Sequence, residues 1–169
     1  MALRNIVTVG DPVLGKNCRK VTTFDRRLHE LLEDMAETLY DANGVGLAAP
    51  QVGVLRRVVV VDVGEGLIEL INPEITAAEG EQTDMEGCLS IPGKYGIVTR
   101  PQKVTVRAQT RHGKWFSIEG EGLLARSFCH ELDHLDGQLY TEKADRMLTD
   151  EEIAEYASRQ ADAEGENKE

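Results

Sequence analysis

Residues 122–137, GLLARSFCHELDHLDG, determine how this chain is interpreted. Apolar residues recur at helical spacing through this stretch, and its final Asp-Gly pair is typical of a helix end. His130 and His134 lie four residues apart, so both imidazoles project from one helix face and can reach one metal ion. Glu131 lies between them, where a general base for a metal-activated water is expected. A hydrolytic site that keeps one coordination position open needs a third ligand.

The composition is that of an ordinary globular protein. Of the 169 residues, 41% are hydrophobic and 29% charged, and we expect one domain over residues 1–169. The net charge of −11 argues against a nucleic-acid-binding protein, because such proteins carry a basic patch. We find no apolar segment long enough to span a membrane, and the first residues lack the pattern of a targeting peptide.

Cysteine usage favours a reducing, cytoplasmic environment. The three cysteines, Cys18, Cys88 and Cys129, cannot all form disulfides within the chain. A thiol with a special role is therefore expected to be a metal ligand or a nucleophile. Cys129 neighbours His130 on the helix and points about 100° away from it, which places it in the core or in a pocket wall.

An irregular arm and an amphipathic helix are predicted at the N-terminus. The arm covers residues 1–23 and contains a turn signal. The helix is expected to begin near Asp25 and to end at Asn43-Gly44. Its apolar stripe consists of Leu28, Leu31, Leu32, Met35 and Leu39.

Strand patterns occupy the middle of the chain. They cover the ranges 57–63, 69–72, 74–79, 103–109 and 115–121. Residues 110–114 are typical of a hairpin turn between the last two strands. A capping box at residues 149–152 predicts a C-terminal amphipathic helix, and residues 163–169 are expected to form a mobile acidic tail. The sequence therefore predicts an α+β fold, with mostly antiparallel sheets packed around the helix that carries the histidines.

The residues alone leave the third metal ligand open. In one extended zinc-protease signature a third histidine follows, but Tyr140 stands at that position here. A thiolate from Cys88, in a glycine-containing segment expected between strands, would complete a Cys/His/His set. A carboxylate from a later helix would instead make a zinc endopeptidase, and the candidates are Glu151, Glu152 and Glu155.

A structural metal module is the second alternative. It requires a closed site with four protein ligands, and Cys18 is the candidate for the fourth. In that case Glu131 has no catalytic task, and metal removal unfolds the domain.

Three separated segments resemble the motifs of the peptide deformylase family. Residues 44–51, GVGLAAPQ, resemble its glycine-rich first motif. Residues 86–90, EGCLS, and 130–134, HELDH, resemble its second and third motifs. The resemblance extends from the arm to the helix after residue 122. One departure is Cys129, where the family often has glutamine.

The resemblance implies a reaction and a metal. Peptide deformylases remove the formyl group from the N-terminal methionine of new polypeptides and release formate. The family ligands correspond to Cys88, His130 and His134. Fe(II) is the expected ion, and Zn, Ni or Co are the alternatives that this ligand set also admits.

The resemblance also implies catalytic roles for three groups. Glu131 takes a proton from the attacking water and passes it to the departing amine. The side-chain amide of Gln51 and the backbone N–H of Leu89 stabilise the negative charge on the formyl oxygen. We further expect Asp133 to pair with Arg100 in support of the metal-bearing helix.

Substrate contacts are expected in an apolar pocket for the methionine side chain. The glycine-rich loop and residues 91–95 could pair with the substrate backbone as an added strand. Phe128 and Cys129 are further candidates for the pocket wall. We expect a monomer that works near the ribosome without binding a membrane or nucleic acid directly. The predicted substrate-binding residues are Gly44, Val45, Gly46, Glu86, Gly87, Leu123 and Ser127.

Overall fold

Two antiparallel sheets enclose a central helix in this protein. The computed structural model describes the backbone of residues 2–166 and the side chains of residues 2–162. The strands are β1 (Gly46–Ala48), β2 (Val58–Val61), β3 (Ile68–Glu79), β4 (Gln82–Cys88), β5 (Ile91–Arg100), β6 (Lys103–Gln109), β7 (Trp115–Glu121) and β8 (Arg146–Met147). The helices are α1 (Arg26–Asp41), α2 (Leu123–Leu135) and α3 (Asp150–Glu166), with short 3-10 helices at Pro12–Gly15, Ala49–Val52 and Tyr140–Glu142. The five-stranded sheet has the order β1-β2-β3-β6-β7, and the three-stranded sheet has the order β4-β5-β8.

Helix α1 forms where its apolar stripe predicts it. The Asp25 carboxylate accepts the Leu28 N–H at 3.1 Å and so satisfies one free donor at the helix start. The helix ends at Asp41, and Asn43 takes a left-handed conformation with φ of 55°. All five leucine and methionine side chains of the stripe are buried against the five-stranded sheet.

Strand β2 joins two hydrophobic cores. Its four valines are fully buried, because alternate side chains point to opposite faces of the sheet. Val58 and Val60 pack in the cluster that contains α1, whereas Val59 and Val61 pack with residues of α2. The five-stranded sheet therefore lies between α1 and α2.

The predicted strands 69–72 and 74–79 form one continuous strand, β3. The pairing of β3 with β6 shifts register between Ile71 and Glu74, where Asn72 has a positive φ of 52°. Strands β6 and β7 have the predicted bounds, and the turn between them is confirmed. The sequence reasoning missed β4 and β5. Cys88 is therefore the last residue of a strand and does not lie in a segment between strands.

The structure of the two ends of the chain broadly agrees with the elements predicted from the sequence. The arm contains one 3-10 helix and one isolated bridge between Arg19 and Arg56. The capping box at the start of α3 is confirmed, since the Thr149 hydroxyl accepts the Glu152 N–H at 3.1 Å. Helix α3 extends into the segment expected to be a mobile tail, and residues 167–169 of that segment lie outside the described residues. Within the described part of the chain, every helix is too short or too polar to cross a bilayer.

The fold predicts a structural role for Asn72. Its amide Nδ2 donates to the Val21 carbonyl and to Gln109 Oε1, both at 2.8 Å, and its Oδ1 accepts the Val21 N–H at 2.8 Å. Asn72→Ala leaves these buried groups without partners, so we expect a loss of about 3 kcal/mol in the free energy of unfolding by urea. Thr76→Ala removes an exposed bond on the same strand and is expected to cost under about 0.5 kcal/mol. Equal losses in the two variants would contradict this role.

Candidate metal centre

Helix α2 places both histidines inside the protein. It begins after Gly122, which has φ of 60°, and ends before Gly137, which has φ of 71°. Gly137 also lies against the backbone of the arm, because a Cβ at this position would lie 2.6 Å from the Gly15 carbonyl carbon. His130 and His134 are buried on one face of the helix, as their spacing predicts.

Cys88, His130 and His134 bring three ligand atoms together. The distance is 3.2 Å between the two Nε2 atoms and 3.4 Å between Cys88 Sγ and His134 Nε2. A tetrahedral ion with ordinary zinc bond lengths separates two nitrogen ligands by about 3.3 Å and sulfur from nitrogen by about 3.6 Å. The three side chains thus fit a single divalent ion. This is the one such ligand group among the residues that the structure describes.

Glu86 fixes the orientation of His130. His130 Nδ1 donates to Glu86 Oε2 at 2.7 Å, so the Nε2 lone pair faces the other two ligands. Arg100 donates twice to the same carboxylate, at 3.1 and 2.6 Å, and Arg126 donates once at 2.9 Å. Burial alone would raise the pKa of Glu86, but the hydrogen bonds from His130 and Arg100 lower it to about 2. Glu86 is therefore a carboxylate at any working pH.

The predicted contact between Asp133 and Arg100 is present. Arg100 Nη1 donates to Asp133 Oδ2 at 2.7 Å, and Lys143 Nζ donates to Asp133 Oδ1 at 2.9 Å. Arg100 therefore bridges Glu86 on β4 and Asp133 on α2. This buried guanidinium holds the second sheet against the helix that carries the histidines.

Glu131 has an unusual environment for a carboxyl group. It is buried, and its Oε1 has no hydrogen-bond partner in the structure. That oxygen lies 4.0 Å from His134 Nε2. Burial raises the pKa of Glu131 to about 7, near the value that suits proton transfer at neutral pH.

Glycines of the first motif give this carboxyl group its space. A Cβ on Gly46 would lie 2.6 Å from Glu131 Oε2, and one on Gly44 would lie 2.7 Å from Leu89 Cδ1. Neither approach is possible for a residue with a side chain. The glycine-rich segment therefore allows Glu131 and Leu89 to pack closely against it at the metal centre.

Gln51 directs its amide nitrogen toward the ligand thiol. The short helix Ala49–Val52 carries it, and the Ala48 N–H donates to Gln51 Oε1 at 2.9 Å. That bond leaves Nε2 facing Ser90 Oγ at 3.1 Å and Cys88 Sγ at 3.6 Å. The side-chain amide is buried, and both its oxygen and its nitrogen have hydrogen-bond partners. Gln51 therefore presents only N–H donors toward the cavity.

A cavity of about 460 Å³ opens next to these groups. All seven predicted substrate-binding residues line it, as do Gln51, Leu89, Glu131 and the residues 91–95. Phe128 and Cys129 do not line it and pack in the core beside β2, so their placement in the pocket wall is wrong. The sequence reasoning missed Asn43, Met85 and Arg126 in the lining. Arg126 lies one helical turn before His130, and this spacing predicts that the two side chains share one helix face.

The alternative ligand sets find no support in the geometry. Glu152 of α3 pairs with Arg146 of β8 at 2.9 Å, and none of the three later carboxylates joins the histidines. Cys18 lies in the core and is likewise outside the ligand group. Tyr140, at the third histidine position of the protease signature, stacks its ring on His130 at a centroid distance of 5.9 Å.

Comparisons with known proteins agree with this site. A sequence profile of the family described as polypeptide deformylase matches residues 3–150. A peptide deformylase of Caldicellulosiruptor bescii is 58% identical over 159 residues, which are 94% of this chain and 96% of the relative. That of Agathobacter rectalis is 61% identical over 150 residues, which are 89% and 95% of the two chains. The crystal structure of a peptide deformylase from Legionella pneumophila superposes with a TM-score of 0.81 at 43% identity, covering 94% of this chain and 98% of that one.

The ligand geometry predicts that Cys88 is needed for metal binding and Cys18 is not. Cys88→Ala removes one of three ligands, and we expect less than one tenth of an equivalent of metal after dialysis, as an order-of-magnitude loss from a truncated site. Cys18→Ala should keep the metal content of the native chain. Elemental analysis of matched preparations measures both. Retention of metal by Cys88→Ala would favour a carboxylate ligand, and loss from Cys18→Ala would favour a closed structural site.

Proposed function

Since this chain belongs to the polypeptide deformylase family, we propose a role for each group of its metal centre. The enzyme is a metal-dependent hydrolase that removes the formyl group from the N-terminal methionine of nascent polypeptides. The observation that carries the assignment of roles is the buried, unpartnered carboxyl oxygen of Glu131 beside the ligand nitrogens. Such an acceptor lowers the stability of the protein, and a role in the reaction explains why it is present.

Cys88, His130 and His134 would hold the metal, and Fe(II) is the ion that we propose for the native enzyme. The donor set of one thiolate and two imidazoles also suits Zn, Ni or Co. When bound, the ion lowers the pKa of a coordinated water and polarises the formyl oxygen. Glu86 keeps His130 in the tautomer that presents Nε2 to the ion.

Glu131 moves the proton in this proposal. Its Oε1 accepts a proton from the water that attacks the formyl carbon. The same group then gives a proton to the amine of methionine as the carbon–nitrogen bond breaks and formate forms. Because burial raises its pKa to about 7, Glu131 can act in turn as base and as acid near neutral pH.

Gln51 and Leu89 would stabilise the charge that develops on the formyl oxygen. The bond from the Ala48 N–H to Gln51 Oε1 fixes which end of the amide faces the cavity. Leu89 follows the ligand Cys88 and lines the same cavity, which supports its backbone N–H as the second donor. Donors held in place before the reaction need no reorganisation during it, which is the basis of their contribution to catalysis.

The cavity suits a peptide that binds as an additional strand. Strands β1 and β4 are edge strands of the two sheets, and both contribute residues to the lining. A peptide between them would bind through backbone hydrogen bonds, which accept many sequences after the methionine. Val45 and Leu123, 42% and 53% exposed at the cavity, would contact the methionine side chain.

The cellular setting is also part of the proposal. We propose that residues 1–169 form a single catalytic domain that acts as a cytoplasmic monomer, close to the ribosome from which its substrate emerges. The formylated peptide is the one partner that the site requires, without direct nucleic-acid binding. The net charge of −11 supports the last point.

Replacing the proposed base tests this assignment. We expect Glu131→Gln to lower the rate of formate release from formyl-Met-Ala-Ser by about 10³-fold, since general-base catalysis is typically worth 10²–10⁴-fold. The assay runs anaerobically with Fe(II), and metal content should stay at the native level. Glu155→Gln, on the exposed surface of α3, is the matched control and should keep native activity. A Glu131→Gln enzyme with native activity would exclude this carboxyl group as the base.

Gly46 gives a second test, because its lack of a side chain makes room for Glu131. In Gly46→Ala the new Cβ displaces the carboxylate, so we expect kcat to fall by about 100-fold, the cost of a misplacement near 1 Å. Gly15→Ala is the control, since a Cβ there meets no atom within 4 Å. Metal content and circular dichroism check that both variants are loaded and folded. Equal kcat values in the two variants would show that this contact is unimportant.

A further inference from the structure

The N-terminal arm binds two of the motifs that form the metal centre. The Val7 N–H donates to the Gln51 carbonyl at 2.7 Å, and the Val9 N–H donates to the Ser90 carbonyl at 2.8 Å. Gln51 lies in the short helix that follows β1, whereas Ser90 lies in the turn between β4 and β5. Residues 7 and 9 thus connect the five-stranded sheet to the three-stranded sheet beside the cavity.

The far end of the arm is anchored to helix α1. The Ala2 N–H and the Arg4 Nε both donate to the Asp34 carboxylate, at 2.8 and 3.0 Å. The Arg4 N–H donates to Thr38 Oγ1 at 3.0 Å. Asp34 and Thr38 lie one turn apart on α1, which itself packs against the five-stranded sheet. The first part of the arm is therefore tied to α1 at residues 2–4 and to the two loops at residues 7–9, although it has almost no regular secondary structure.

The arm binds the carbonyls of Gln51 and Ser90, and both residues are linked to the proposed charge-stabilising donors. Gln51 itself provides the side-chain amide. Ser90 directly follows Leu89, whose backbone N–H is the second donor. The Ser90 hydroxyl also holds the Gln51 amide at 3.1 Å and is fully buried. Any change in the separation of these two loops therefore changes the distance between the two donors.

We propose that Val7 and Val9 are positioning residues that set the separation of the Gln51 amide and the Leu89 N–H through their own backbone N–H groups. This inference rests on the proposed function of those two donors. Both donors must lie within about 3 Å of one developing oxyanion, so loops from different sheets need a common support. The arm supplies that support from outside the lining of the cavity.

Val9→Pro and Val9→Ala form the test pair. Proline removes the N–H that binds Ser90, whereas alanine keeps it and shortens a side chain that is 54% exposed. With the metal-loaded enzyme, we expect Val9→Pro to lower kcat by about tenfold, because small misplacements of catalytic groups cost rates of this order. KM and metal content should stay within about twofold of the native values. Val9→Ala should match the native enzyme. Equal kcat values for the two variants would overturn the proposal.

A double-variant cycle separates positioning from a general loss of structure. If the arm acts through Gln51, then Val9→Pro should lower kcat much less in a Gln51→Ala background, which keeps the Gln51 carbonyl but lacks the amide. The same tenfold loss in both backgrounds would overturn the proposal. The single variant Gln51→Ala tests the role of Gln51 separately. If this variant has the native kcat, both the role of Gln51 and the positioning proposal are refuted.

Asp34→Ala provides the test should the proline variant not fold. It releases the Ala2 and Arg4 contacts at the remote end of the arm. The matched control is Glu30→Ala, which removes an exposed ion pair with Arg26 on the same helix. We expect a lower kcat for Asp34→Ala alone, again suppressed by Gln51→Ala. An Asp34→Ala enzyme with the kcat of Glu30→Ala would overturn the proposal.

Discussion

The buried carboxylate of Glu86 is the interaction on which the rest of the site depends. It accepts hydrogen bonds from His130 and Arg126 on α2 and from Arg100 on β5, while its own backbone lies in β4. One side chain thereby joins the three-stranded sheet to the central helix. The charge is tolerable only because all its partners are present, and removal of one partner from such a buried pair typically costs 3–5 kcal/mol. The orientation of His130 and the packing of the three-stranded sheet against α2 therefore have a common cause.

Two buried carboxyl groups beside the same cavity have opposite environments. Glu86 is surrounded by donors and stays ionised, whereas Glu131 is buried beside Gly46 with one oxygen unpaired and its pKa raised to about 7. The two carboxyl groups thus differ through their surroundings alone. Val59 and Val61 of β2 form a buried core with the apolar residues of α2, and this core helps to offset the cost of the unpaired group.

The amino-acid pattern predicted those parts of the fold that depend on side-chain periodicity. Helix α1, strands β6 and β7, the turn between them and the capping box of α3 all follow from local spacing. Strand β4, QTDMEGC, was missed because its polar residues do not alternate with apolar ones. The histidine pair was readable from its spacing, but the choice of Cys88 needed the resemblance of three motifs. Backbone hydrogen bonds from the arm leave no trace in residue types, so no pattern could have indicated that Val7 and Val9 hold Gln51 and Ser90.

The two edge strands beside the cavity have a consequence for when deformylation occurs relative to the folding of the substrate. Unpaired edges invite other strands to join them, and β1 and β4 both contribute residues to the cavity where we propose that the substrate binds as one extended strand. A segment already paired in a sheet or wound into a helix has its own N–H and C=O groups engaged and cannot bind there. Deformylation thus competes with the folding of the substrate's first residues. A polypeptide whose N-terminus folds rapidly keeps its formyl group unless the enzyme reaches it first.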